Sequence, residues 1–94
     1  MEILFEDREQ LMLNYYCLIT YTKRYDFAIG YTELFKGKSL VTSLQNGNMV
    51  LLSQEDSNEY DHWVAKLGIE IEDIPEFKGF FYSVLQAQPF QEEY

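Results

Sequence analysis

Residues 11–31 read LMLNYYCLITYTKRYDFAIGY, and their spacing decides the fold. From Leu11 every second residue is apolar, through Leu13, Tyr15, Cys17, Ile19 and Tyr21, with Asn14, Thr20 and Thr22 among the positions between them. A period of two belongs to a strand with one buried face. On that reading Cys17 points inward, where a thiol behaves as a small, inert hydrophobe. After Lys23 and Arg24 the alternation resumes, with Tyr25, Phe27, Ile29 and Tyr31 on one face and Asp26, Ala28 and Gly30 on the other. This is a second strand.

Outward from this pair, residues 39–44 form a third strand. Gln45, Asn46, Gly47 and Asn48 follow, and the Asn46-Gly47 pair suits a tight turn with positive φ at both central positions. Met49 to Leu52 returns as a fourth strand, continuous enough in apolar residues to be buried on both sides. Glu2 to Phe5 offers a short fifth. Beyond residue 53 the period changes. Ser53 and Asp56 form an Asp version of the capping box, and Tyr60, Trp63, Val64 and Leu67 recur at helical spacing up to Gly68, the expected C-cap. Asp73 and Pro75 start a second helix whose apolar residues are Phe77, Phe80, Phe81, Val84 and Leu85. Gly79 inside it costs about 1 kcal/mol relative to alanine. Strands first and helices last predict an α+β domain, a four- to five-stranded antiparallel meander with both helices packed on it. Residues 1–94 make one domain, with 87–94 a frayed tail.

The charge is −9, from sixteen acidic and seven basic residues. Residues 1–47 carry six acids and five bases, a net −1, whereas 48–94 carry ten acids and two bases, a net −8. Such a balance argues against nucleic acid and against anionic membrane surfaces, and leaves room for a basic protein partner of the acidic half. One cysteine excludes an intrachain disulfide, no apolar run is long enough to span a bilayer, and the N-terminal residues lack the pattern of a signal peptide. The expectation is a cytoplasmic protein.

The usual routes to chemistry close one by one. Gly37, Lys38 and Ser39 resemble the end of a phosphate-binding loop, but Thr32 stands where the first glycine belongs and a strand follows instead of a helix. His62 is the sole histidine, so the one enzyme arrangement left is a Cys17–His62 pair, which an inward Cys17 disfavours. Acids at 55–61 and 70–76 fall at helix starts, where they oppose the macrodipole without needing a function. No catalytic residue, cofactor or metal site is expected. Lys23, Arg24, Lys36 and Lys38 could form a small anion site for a phosphorylated metabolite.

Sixteen aromatic residues are more than so short a chain hides easily, which points to a homodimer. Tyr16, Phe80, Phe81 and Tyr82 are the candidate surface for a second chain or another partner, since Phe80 and Phe81 cannot both point squarely at one core stripe.

The segment from Arg24 to Gly47 resembles a family of short Firmicutes proteins of unknown function. The likeness rests on RYDxAIxYT, here Arg24 to Thr32, on FxGK[ST]LV, here Phe35 to Val41, and on LQ[SN]G, here Leu44 to Gly47. It extends loosely through residues 53–68 and departs around Cys17 and after residue 86. The resemblance implies a cytoplasmic protein and no mechanism.

Overall fold

A computed structural model describes residues 1–6, 8, 10–32 and 37–85. Four strands, β1 (Met12–Ile19), β2 (Arg24–Tyr31), β3 (Ser39–Ser43) and β4 (Met49–Leu52), form an antiparallel meander in the order β1-β2-β3-β4. A 3-10 turn at Glu55–Asn58 leads to helix α1 (Tyr60–Leu67), and a second 3-10 turn at Ile71–Asp73 leads to helix α2 (Ile74–Val84). Both helices lie on the same face of the sheet. The expected α+β architecture is the observed one, with four strands: Glu2 to Phe5 form no strand, and Ile3, Leu4 and Phe5 are exposed. The anticipated tail, 87–94, lies outside the described residues.

β2 fixes which face of the sheet is inside. Tyr25, Phe27 and Ile29 are buried beneath Phe77 and Phe81 of α2 and Trp63 and Leu67 of α1, with Val41, Val50 and Leu52 completing the core. The rings meet edge to face, Phe27 with Phe77 at 5.6 Å and Trp63 with Phe81 at 5.1 Å between centroids, the geometry ring quadrupoles favour.

Residues directly opposite in an antiparallel pair share a face. The register sets Leu18 against Tyr25, Tyr16 against Phe27 and Asn14 against Ile29, so the even-numbered residues of β1 face the core. Leu13, Tyr15, Cys17 and Ile19 are on the opposite, uncovered face, and Cys17 is exposed. The inward placement expected for Cys17 is therefore corrected. Residues 15–19 are apolar at both parities, and the partner strand decides which parity is buried.

The links carry their own signals. Ser43 N–H donates to Asn48 O at 2.9 Å and Gly47 N–H to Ser43 O at 2.8 Å, with φ 78° at Gly47. The loop thus holds residues 44–47 and is longer than a two-residue turn. The helix read from residue 53 starts later, because Glu59 leaves helical geometry at φ −104°, ψ 84° and α1 begins at Tyr60. The capping-box contact still forms: Asp56 Oδ2 accepts the Ser53 N–H at 2.9 Å. Gly68, at φ 70°, ends α1 as its left-handed C-cap, and Asn46 and Asn48 donate to Lys66 O at 3.2 and 3.0 Å.

Candidate interaction surface

The β1–β2 hairpin is tied to the start of α2 by a buried carboxylate. Asp73 accepts from Tyr25 Oη at 2.7 Å, Thr20 Oγ1 at 2.9 Å and Thr22 Oγ1 at 3.2 Å. Burial would raise its pKa, but the hydroxyls and the charge of Lys23 outweigh burial and hold it below the ordinary carboxylate value. The same bonds act in reverse on Tyr25, whose phenol is pushed up to about 12 by burial first and then by the bond to Asp73. Sequence position marked Asp73 only as a helix-start acid. It makes no side-chain cap bond to its own helix and serves instead to hold α2 alongside β1.

That placement creates a cleft. Between β1 and α2 lies a space of about 160 Å³ lined by Leu18, Ile19, Thr20, Glu76, Phe77 and Phe80. At its inner end Tyr16 meets Phe80 edge to face at 5.1 Å. Of the four aromatics expected at a partner surface, Tyr16 and Phe80 are thus joined and half-buried. Phe81 is fully buried among Phe27, Phe77 and Trp63, which corrects its assignment to a surface. Consecutive helical residues point about 100° apart, and the buried face is wide enough to take Phe81 at its centre and Phe80 on its shoulder. Tyr82 is 58% exposed, on the flank of α2 where its carbonyl accepts from Gln54. The four do not form one patch.

A larger apolar surface lies behind the sheet. Tyr15 and Ile19 are 69% and 78% exposed there, with Leu13, Leu44 and Met49 also open. Leu11 and Leu13 lean over Gly30, each 3.4 Å from where its Cβ would be. The signal for this surface was present in residues 11–22, which contain no charged side chain.

The basic residues do not converge. Lys23 pairs with Glu70 at 3.3 Å, Arg24 with Asp26 at 3.1 Å and Lys38 with Asp56 at 2.8 Å. Lys36 lies outside the described residues. Because Tyr31 pairs with Ser39 and Phe27 with Ser43, Arg24 and Lys38 stand at opposite ends of the β2–β3 hairpin. Of the four, Lys23 and Arg24 border a pocket of about 240 Å³ of mixed lining, with Gln45, Asn46 and Leu67. Cys17 and His62 are likewise apart. Cys17 is on edge strand β1, whereas His62 Nε2 lies 3.3 Å from Leu51 O on β4 at the other edge, about 14 Å away at the usual strand spacing.

A family model described as SAV0927-like matches residues 4–83, and that description carries no activity. No curated protein matches the chain.

Proposed function

The chain belongs to the SAV0927-like family, and from that premise we propose that it works without catalysis, as a cytoplasmic interaction module acting as a homodimer. The observation that carries this reading is β1 itself, a strand at the edge of the sheet with Tyr15 and Ile19 mostly exposed. An edge strand without charged side chains is a site where another chain adds a strand. Charge supports the same assignment. The half of the chain that holds the first three strands has a net charge of −1, so two copies can meet along β1 with little repulsion, while the other half, at −8, carries most of the negative charge. That acidic half is the face offered to a basic protein partner. In a reducing compartment the exposed Cys17 stays a thiol.

Light scattering at micromolar concentration tests the first part. A dimeric mass is expected, and a monomeric mass would overturn it. The pocket beside Lys23 and Arg24 favours a second reading, the binding of a small phosphorylated anion. There a thermal-shift series with inorganic phosphate and sugar phosphates decides, since stabilisation abolished by Arg24→Glu is required for it.

A further inference from the structure

The direction of the free backbone groups on β1 follows from bonds elsewhere in the sheet. Thr20 N–H donates to Lys23 O at 2.9 Å, so Thr20 and, by alternation, Leu18, Tyr16, Asn14 and Met12 direct their N–H and C=O groups at β2. Leu44 N–H to Asp26 O and Ser43 N–H to Asn48 O continue the same parity across β3 and β4. Leu13, Tyr15, Cys17 and Ile19 therefore direct their amides and carbonyls away from the sheet, and among the described residues nothing bonds to them.

An open edge of this kind is a template for another strand, and proteins usually guard it with charge, proline, a bulge or short length. β1 has eight residues and none of these guards. β4 has four residues and is guarded by α1, whose His62 lies on the Leu51 carbonyl. We propose that β1 pairs antiparallel with β1 of a second copy of this chain about a two-fold axis, making one sheet of eight strands from two of four. This rests on the homodimer reading above and names its seam.

The register that uses every outward group pairs Leu13 with the partner's Ile19 and Tyr15 with the partner's Cys17, with the axis at Tyr16. Met12 then has a place. It has the parity of the core-facing residues yet is 69% exposed, because β2 ends opposite it at Tyr31. Across the seam Met12 lies opposite the partner's Thr20, at the mouth of the cleft formed by the partner's Ile19, Thr20 and Phe80. A flexible thioether suits such an irregular apolar gap. Gly79 fits the same arrangement. Among the described residues nothing lies within 4 Å of where its Cβ would be, and it adjoins the Glu76–Phe80 row of α2 that faces the cleft, which the seam brings beside the partner's helix.

Amide hydrogen exchange by NMR, with light scattering on the same sample, tests the seam. A dimer in which the amides of Leu13, Tyr15, Cys17 and Ile19 exchange on the order of 100-fold more slowly than in Met12→Lys is expected. Met12→Lys should fold normally, its position being exposed, and should weaken the dimer at least tenfold. A dimer whose four amides exchange freely would overturn the seam and leave the homodimer reading standing. A monomer would overturn both.

Discussion

Tyr25 and Asp73 are separated by 48 residues, yet Tyr25 Oη donates to Asp73 Oδ2 at 2.7 Å inside the protein. The bond joins the strand at the centre of the core to the start of the last helix. Tyr25 Oη also accepts the Glu70 N–H at 3.1 Å, so one hydroxyl holds both ends of the turn before α2.

Tyr25→Phe keeps the ring and removes both bonds. A hydrogen bond to an ionised acceptor is worth about 1.5–3 kcal/mol, and a loss of that size is expected in urea unfolding. The same group gives the alkaline limb. Its folded value of about 12 lies above the ordinary 10, so its stabilisation is complete below pH 10 and declines as pH rises to 12. Tyr31, also pushed up to about 12, by burial and then by neighbouring Tyr16, adds to that limb. In Tyr25→Phe the decline measured by circular dichroism should be shallower.

The acid limb has the opposite sign. Burial acts to raise the Asp56 pKa, but hydrogen bonds from Lys38 and Ser53 and the ammonium charge outweigh it and leave a value below 3.8. Asp73 is lowered in the same way. Both contribute stability that is present above about pH 4 and lost as pH falls through the folded values. Lys38→Met should cost roughly 0.5–1 kcal/mol at neutral pH, the range of a partly solvated pair, and little below pH 3. Unfolding midpoints against pH in the two proteins check this.

Phe80 and Phe81 are neighbours with different environments. Phe81→Ala empties the centre of the core and should cost about 3–5 kcal/mol. Phe80→Ala should cost less, since Phe80 is half-buried. Paired denaturant titrations separate the two.

Cys17 should react quickly with a thiol reagent in the folded protein, because its side chain lies on the uncovered face. Strand pairing at the edge occupies its backbone and leaves the sulfur accessible. Fast labelling of the dimer is therefore the expected result, and protection would indicate that two sheets meet face to face instead.

Gly79→Ala should raise the stability of a monomeric Met12→Lys background by about 0.5–1 kcal/mol, because alanine removes the helical cost of glycine and meets no neighbour among the described residues. In the dimer the added methyl enters the space beside the partner's helix, and a higher dissociation constant is expected by light scattering.

Much of the fold was legible because its signals are local. Alternation in 25–31, Gly68 after Leu67 and Pro75 in a first helical turn each state a conformation without reference to distant residues. The face of β1 was not legible, since Tyr16 and Leu18 are as apolar as Tyr15 and Ile19 and only pairing with β2 orders them. The basic residues misled for a related reason. Lys23 and Lys38 flank β2 in sequence, and an extended strand of eight residues holds them apart at its two ends. Asp73 looked like a helix-start acid because its hydroxyl partners at 20, 22 and 25 are some fifty residues away. For the interaction surface, the uncharged run from 11 to 22 was the available sign, and it was absorbed into a supposed core.

His62 on the Leu51 carbonyl has a consequence for how far assembly can run. A sheet open at both edges adds copies without end and grows into a fibre, because each addition presents a fresh edge. Here α1 closes the β4 side. Once two β1 strands have joined, the outermost strands of the product are both β4, and growth stops at two.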